Sequence, residues 1–236
     1  MIRAKSSVRK GLNSFTGWQQ KCCLQQRGPD RTLAPQWRAF LTTRVRDPNE
    51  GDWIKLAHLM KHVRGAMDLP LILRADGSGL LKWYIDASHG VHPNMRGHTG
   101  GGLTMGTGFP ITTSTKQKLN TRSSTETEIV GVDDMMPGVL WTRLFLEAQG
   151  YGVNESIVFQ DNQSAMLLEK NGKSSSGKRT KHIEMRYFFV TDQIAKGRLK
   201  VLWCPTADMT GDFGTCLLYT SPSPRDLSTS RMPSSA

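Results

Sequence analysis

Between residues 80 and 204 the sequence alternates between strand and helix patterns in one particular order. Three segments rich in β-forming or glycine residues come first, beginning with LLKWYIDAS at residues 80–88. A long helical segment follows, and strands then alternate with helices as far as RLKVLWC at residues 198–204. The order is β-β-β-α-β-α-α-β, with helices crossing between strands in its second half. It predicts an α/β domain with a mixed five-stranded sheet flanked by helices.

The boundaries of the helices are predicted from caps and breakers. Ser123 and Glu126 form one of two overlapping capping boxes, which predicts that a long helix begins there and ends at about Gly150. Pro137 lies inside that segment and should kink or divide the helix. Upstream, apolar residues recur at helical spacing through DWIKLAHLMKHVRG at residues 52–65, which predicts a further helix.

The charge of the chain points to a polyanionic partner. There are 31 Lys and Arg residues against 20 Asp and Glu residues, a net charge of +11. Residues 1–38 hold eight of the basic residues and one acidic residue, so most of the excess lies upstream of the predicted domain. Within the domain, GKSSSGKRTKH at residues 172–182 is a basic loop that could bind backbone phosphates or simply be solvated.

The candidate phosphate-binding side chains lie in this basic loop or just after it. They are Lys173, Lys178, Arg179, Lys181, His182 and Arg186. His182 could instead cap the helix that follows the loop. A charged contact of this kind would weaken steeply with added salt.

Cysteine spacing and hydropathy argue against several classes of protein. The four cysteines form no C-x-x-C pair and no zinc-ligand or disulfide pattern. No run approaches the roughly 20 apolar residues that a membrane-spanning helix needs. We therefore expect a reducing, intracellular setting and no membrane partner.

Four carboxylates occupy the ends of predicted elements. Asp86 and Asp161 each end a strand. Glu128 lies in the first turn of the long helix, and Asp212 follows the last strand. Side chains at such positions meet at one edge of an open α/β sheet, where they would repel one another unless cations lay between them. Two Mg²⁺ ions with oxygen ligands would relieve that repulsion and suit phosphodiester hydrolysis. The alternative is that all four are ordinary surface or capping acids.

Two other groups of side chains have simpler structural explanations. His89, His92 and His98 lie in a polar turn without a fourth ligand at matching spacing, so we predict a solvated hairpin and not a zinc site. Four tryptophans lie in apolar patterns and are predicted to pack in the core: Trp53, Trp83, Trp141 and Trp203.

A series of short motifs runs through the predicted domain. They are YIDAS, RGHTGG, STKQK, SSTETE, LWTRLFLEAQGY, DNQSA, KRTKHIEMRYFF and CPTADMTGD. In this order they resemble the ribonuclease H domain at the carboxyl end of the Pol polyprotein of copia-type LTR retrotransposons. The resemblance runs from about Ala39 to Gly214 and implies a ribonuclease H-like fold for the mixed sheet.

The resemblance also implies which acids are catalytic. The family motifs Y-[IV]-D-A, T-E-x-E, D-N and A-D-x-x-[AG]-D are matched in turn by Asp86, Glu128, Asp161 and Asp212. Glu126 and Asp208 lie in the same motifs and match less well. The implied activity is endonucleolytic hydrolysis of the RNA strand of RNA–DNA hybrids, with two Mg²⁺ ions, or Mn²⁺, held by the four acids. The histidine that cellular ribonucleases H carry before the last acid is absent from VLWCPTADMTGD.

The resemblance further divides the chain into four parts. Residues 1–38 do not match and are expected to be disordered or frameshifted. Residues 39–78 resemble a remnant of the polymerase connection region with one helix, and residues 79–214 the ribonuclease H-like domain. Residues 215–236 are expected to be a disordered, artefactual tail.

The implied partners are an RNA–DNA hybrid and the polymerase and integrase parts of the parent polyprotein. The implied location is the cytoplasm or the virus-like particles of the parent element. A second hypothesis, from another class of function, is a catalytically inactive Pol fragment with at most weak nucleic-acid binding.

Overall fold

The computed structural model describes residues 34–65, 68, 70, 72–172 and 184–215. Its helices and strands are, in chain order, α1 (Ala34–Arg44), α2 (Glu50–Gly65), β1 (Arg74–Ala75), β2 (Leu80–Ser88), β3 (His98–Thr104), β4 (Gly106–Thr107), β5 (Ile111–Lys116), α3 (Ser124–Ala148), β6 (Glu155–Gln160), α4 (Gln163–Asn171), α5 (Glu184–Ala195), β7 (Lys200–Trp203) and α6 (Asp212–Thr215). A 3₁₀ turn at Thr206–Asp208 lies between β7 and α6. Among these residues, no helix is both long enough and apolar enough to cross a bilayer. The predictions made for residues 1–33, 173–183 and 216–236 lie outside the described part of the chain.

Five of the strands form a mixed sheet in the spatial order β5-β3-β2-β6-β7. β2, β3 and β5 make an antiparallel meander, whereas β6 runs parallel to β2 and β7 runs parallel to β6. The helix α3 leads into β6, and α4 and α5 lie between β6 and β7, as crossover connections between parallel strands require. The predicted mixed five-stranded sheet with flanking helices is confirmed. The short strands β1 and β4 pair with each other in a separate ribbon.

β2 lies at the centre of the sheet and alternates between two environments. Trp83 and Ile85 are buried, and they share one core cluster with Val132 and Met136 of α3. Because side chains alternate across a strand, Asp86 points to the opposite face from Ile85. The packing of β2 on α3 therefore directs Asp86 away from the apolar core.

α3 is one continuous helix of 25 residues, so Pro137 does not divide it, and the alternative of a kink at Pro137 stays a prediction. The helix begins where the capping box predicts, because the Ser123 side chain accepts a hydrogen bond from the Glu126 N–H. Pro137 itself is exposed, while Met136 and Val139 beside it are fully buried. Packing of both turns on the same core holds the helix continuous although proline lacks a backbone N–H.

α1 and α2 form a small helical pair that precedes the sheet. α2 is the helix predicted at residues 52–65, whereas the sequence analysis did not predict α1, which begins at Ala34. The two helices pack through Leu41, Leu56 and Leu59, which form their own buried cluster. The division of the chain into the four parts described above stays a prediction.

Candidate active site

Three of the four predicted carboxylates lie together at one edge of the sheet. Asp86 is near the end of β2, and Asp161 directly follows β6, which runs parallel to β2. Glu128 lies near the start of α3 and reaches the same edge. A carboxylate oxygen from each of these residues lies within 4.8 Å of those from the other two. Parallel neighbouring strands end at the same edge, which is why residues so distant in sequence meet here.

Burial and mutual repulsion raise the pKa of Glu128 and of Asp86 in this cluster. Glu128 is 5% exposed, and burial holds its pKa well above the ordinary value, with further contributions from Asp86 and Asp161. Burial also raises the pKa of Asp86; a hydrogen bond from Thr215 opposes that rise, and the charge of Asp161 adds to it. A positive charge at this edge would relieve both effects.

One oxygen of the cluster has no hydrogen-bond partner within the described residues. Glu128 Oε2 is fully buried and accepts no hydrogen bond there. A buried carboxylate oxygen without a donor is unfavourable, so it needs either a proton or a cation. The set of ligands is made of carboxylate oxygens alone, which suits a hard divalent cation such as Mg²⁺. The residues present therefore fit a divalent metal.

Asp212 lies beside the cluster on the short helix α6. Burial, together with the charges of Asp86 and Asp161, raises the pKa of Asp212 to about 7. Gly211 allows the close approach, because a Cβ there would lie 3.1 Å from the Asp86 backbone nitrogen. Asp208, the less well matched candidate, is exposed on the preceding 3₁₀ turn. Asp212 is thus the acid of its motif that interacts with the cluster.

The two glutamates of the T-E-x-E motif have separate positions at the start of α3. Glu126 Oε2 accepts a hydrogen bond from the Arg122 N–H at 2.7 Å, which ties it to the turn that precedes the helix. Glu128 lies in the cluster with Asp86. The geometry therefore favours Glu128 over Glu126 as a metal ligand.

Two threonines orient the cluster, and sequence reasoning missed both of them. The Thr215 hydroxyl donates a hydrogen bond to Asp86 Oδ2. The Thr206 hydroxyl donates to Asp161 Oδ2 at 3.0 Å. Thr206 lies within the CPTADMTGD motif, which could have indicated it, whereas Thr215 lies beyond that motif and carries no such signal.

Of the six predicted phosphate-binding residues, only Arg186 lies in the described part of the chain. Arg186 on α5 forms ion pairs with Asp133 at 2.6 Å and Asp134 at 3.3 Å, both on α3. The guanidinium therefore joins two helices, in contrast to the phosphate contact that we predicted for it. The other predicted residues lie outside the described part of the chain: Lys173, Lys178, Arg179, Lys181 and His182.

The prediction of a solvated hairpin is wrong for two of its three histidines. His92 and His98 are buried, and His92 Nε2 lies 3.1 Å from His98 Nδ1. His89 is exposed, and its Nδ1 lies 2.9 Å from the Thr127 hydroxyl. The buried pair belongs to a hydrogen-bond network that reaches the end of the described chain.

The prediction that four tryptophans pack in the core is also wrong for three of them. Trp83 is buried in the main core, as predicted. Trp53, Trp141 and Trp203 are 46%, 60% and 51% exposed. Trp141 stacks on Phe145 at the surface of α3, with ring centroids 4.9 Å apart. Helical spacing of apolar residues does not reveal which side of a helix another element covers.

Comparison with known proteins relates the chain to transposon polyproteins. It is 30% identical over 172 residues to the "Retrovirus-related Pol polyprotein from transposon TNT 1-94" of Nicotiana tabacum. It is 28% identical over 167 residues to the corresponding polyprotein from transposon RE2 of Arabidopsis thaliana. These matches cover 72% and 70% of this chain but only 13% and 11% of the two relatives. No model of a protein family matches the chain.

Among solved structures, the chain resembles ribonuclease H1 from the halophilic archaeon Halobacterium salinarum NRC-1. That similarity has a TM-score of 0.40 at 11% identity and covers 56% of this chain and 92% of the archaeal one. The sequence relationship to the polyproteins is the stronger of the two. The chain is therefore a homologue of one segment of the retrovirus-related Pol polyproteins of plant transposons.

Proposed function

We propose that the chain hydrolyses the RNA strand of RNA–DNA hybrids, as the ribonuclease H part of a copia-type Pol polyprotein. The observation that carries the proposal is the convergence of Asp86, Glu128 and Asp161 to within 4.8 Å at one edge of a mixed sheet. Homology to one segment of the retrovirus-related Pol polyproteins of plant transposons supports it. The parent polyprotein would carry the polymerase and integrase parts beside this segment.

The metal that we propose for this site is Mg²⁺, with Mn²⁺ as a substitute and two ions per site. Asp86, Glu128 and Asp161 would hold these two ions together with Asp212 of α6. Mg²⁺ bound there would supply positive charge at the scissile phosphate and would lower the pKa of an attacking water.

The chain's own residues orient the carboxylates before any metal is bound. The Thr215 hydroxyl holds Asp86, and the Thr206 hydroxyl holds Asp161, each through one hydrogen bond. Outer hydrogen bonds of this kind fix the direction of ligand oxygens and typically contribute about 10–100-fold to metal affinity or activity.

The proposal is tested by cleavage of a labelled RNA–DNA hybrid in Mg²⁺. We expect Asp86→Asn to lower the rate by more than the roughly 10–100-fold that loss of an outer hydrogen bond costs. Asp208→Asn is the matched control, because Asp208 is an exposed acid of the terminal segment outside the cluster. Its rate should equal that of the unaltered chain.

The alternative function predicts a different result. An inactive Pol fragment with at most weak nucleic-acid binding would give no Mg²⁺-dependent cleavage that differs between the unaltered chain and Asp86→Asn. Equal cleavage rates in these two proteins would therefore contradict the enzyme hypothesis and support the inactive-fragment hypothesis.

A further inference from the structure

A line of buried hydrogen bonds connects the β2–β3 hairpin to the end of the described chain. His92 Nε2 lies 3.1 Å from His98 Nδ1, and His98 Nε2 lies 2.7 Å from the Ser114 hydroxyl. Ser114 Oγ lies 2.9 Å from the Gly214 carbonyl oxygen. His98 is fully buried, and His92 and Ser114 are 2% and 8% exposed. Three side chains thus end on a single carbonyl of α6.

The direction of every bond in this line follows from its last acceptor. A carbonyl can only accept, so the Ser114 hydroxyl donates to Gly214 and must accept from His98 Nε2–H. His98 Nδ1 then carries no proton and accepts from His92 Nε2–H. Burial lowers the pKa of His92 to about 4 and that of His98 to about 3, so both rings are neutral near pH 7, as this arrangement requires.

The register of the sheet explains why α6 can lie against these residues. Asp86 on β2, Gly100 on β3 and Ser114 on β5 are directly paired, so they share one face of the sheet. The middle position has no side chain, and a Cβ on Gly100 would lie 2.5 Å from the Gly214 Cα. The backbone of α6 therefore rests on the backbone of β3, with Asp86 on one side and Ser114 on the other.

Hydrogen bonds from β2 on one side of β3 and from β5 on the other connect the sheet to α6. On the β2 side the Thr215 hydroxyl donates to Asp86, and Ser88 Oγ donates to the Thr215 carbonyl at 3.4 Å. On the β5 side the Ser114 hydroxyl donates to Gly214. A helix of four residues is too short to be stable by itself, so these contacts must fix its position.

We propose that His92, His98 and Ser114 are positioning residues that hold α6, and with it Asp212, against the acidic cluster. None of the three touches Asp86, Glu128 or Asp161 in the hydrogen bonds of the line, so they act through the backbone of Gly214. The catalytic consequence rests on the proposed function, whereas the placement of α6 does not.

The placement of α6 is tested by hydrogen–deuterium exchange on the full chain in EDTA. The Asp212 and Gly214 N–H groups donate to Met209 and Gly211 within the segment, so their exchange reports on its order. We expect Ser114→Ala to accelerate exchange at residues 209–215 about fivefold, as the loss of one hydrogen bond of about 1 kcal/mol predicts. Thr115→Val, which removes a hydroxyl from the exposed face of the same strand, should leave that rate unchanged.

A pair of variants at His98 separates hydrogen bonding from packing. His98→Leu should accelerate exchange at residues 209–215 as Ser114→Ala does. His98→Gln should restore the slow rate, because a Gln amide can donate to Ser114 and accept from His92. Wild-type exchange in both Ser114→Ala and His98→Leu, or equal acceleration in His98→Gln and His98→Leu, would overturn the proposal.

A double-mutant cycle tests the consequence for hybrid cleavage. We expect Ser114→Ala to lower the cleavage rate about fivefold in the unaltered chain and less than about twofold when Asp212→Asn is already present. An equal loss in both backgrounds would overturn the proposal, because Ser114 would then act independently of Asp212. Absence of cleavage in the unaltered chain would contradict the proposed function alone, since the exchange experiment still decides the position of α6.

Discussion

At Glu128, burial and charge oppose each other directly. Its carboxyl is almost fully buried, one of its oxygens lacks a donor among the described residues, and Asp86 and Asp161 lie within 4.8 Å. In metal-free protein such a group favours its neutral form. In metal-bound protein the same position would supply a charged ligand, so the burial that disfavours the charged form in the metal-free chain would favour binding of a cation.

Substitution of Glu128 should reveal this conflict as a pH dependence of stability. The raised pKa means that the folded chain loses stability as pH rises above the ordinary Glu value, because the unfolded chain releases the proton first. Glu128→Gln is neutral at every pH, so its stability should exceed that of the unaltered chain by a margin that grows from pH 5 to pH 8. The measurement is urea unfolding in EDTA at the two pH values.

The matched control for this measurement is Glu126→Gln. Among the described residues, Glu126 lies outside the acidic cluster and accepts a hydrogen bond from the Arg122 N–H at the start of α3. A Glu128→Gln variant that is less stable than the unaltered chain at pH 8, or a margin that does not change with pH, would contradict this description of the site.

Arg186 offers a second test at the scale of single residues. Its ion pairs with Asp133 and Asp134 are partly exposed, so Arg186→Gln should lower the free energy of unfolding by no more than about 1 kcal/mol. Because the guanidinium is engaged by α3, the affinity for an RNA–DNA hybrid should change by less than about twofold. Fluorescence anisotropy at two salt concentrations measures this affinity. A tenfold loss together with a shallower salt dependence would restore the phosphate contact predicted from the sequence.

At the scale of elements, α3 shows where local sequence rules hold and where packing overrides them. Its start follows from Ser123 and Glu126, which can be recognised without any structure. Its continuity past Pro137 could not be predicted, because it depends on Met136 and Val139 fitting one core formed with β2. A breaker is tolerated where tertiary packing on both sides compensates for it.

The cost of Pro137 in the middle of α3 should be measurable as a difference in the free energy of unfolding. Pro137→Ala restores a backbone N–H that can donate to the Asp133 carbonyl, and it removes no buried side chain because Pro137 is exposed. Part of the gain is offset by the greater freedom of the unfolded chain, so we expect about 1–2 kcal/mol of added stability. Denaturant unfolding compares the two proteins. If Pro137→Ala were less stable than the unaltered chain, Pro137 would stabilise α3, which would contradict this account.

In the β2–β3 hairpin, local sequence rules wrongly predicted exposed side chains. Its histidines lie among polar and turn-forming residues, so the sequence predicted exposure. Their burial follows from contacts across the sheet and with α6, including the bond from Ser114 to Gly214, 100 residues away in sequence. Such long-range packing leaves no periodic pattern in the segment that it buries.

At the scale of the whole molecule, the order of strands and helices along the sequence was the most useful basis for predicting the fold. The succession of strands and helices was sufficient to predict the mixed sheet, and the ends of β2 and β6 were sufficient to predict where Asp86 and Asp161 would meet. Thr215, which orients Asp86, and the histidine line that supports α6 could not be predicted. Both depend on how the last described segment folds back over the sheet.

Charge distribution also takes on a different meaning once the fold is known. The net charge of +11 first suggested a polyanionic partner, yet Arg186 is paired with acids of α3 and the site itself is acidic. Attraction of a nucleic acid to the acidic site itself would therefore depend on metal ions that reverse its sign. This dependence makes metal-dependent cleavage the central claim.

The most direct test of that claim is to identify which strand is cut and which ends are formed. The full chain is incubated with a hybrid labelled separately on its RNA and DNA strands, with Mg²⁺ or with EDTA. We expect internal cuts in the RNA strand alone, with 3′-hydroxyl and 5′-phosphate ends, in Mg²⁺ and not in EDTA. Cleavage of the DNA strand, or RNA cleavage that persists unchanged in EDTA or in Asp86→Asn, would contradict it.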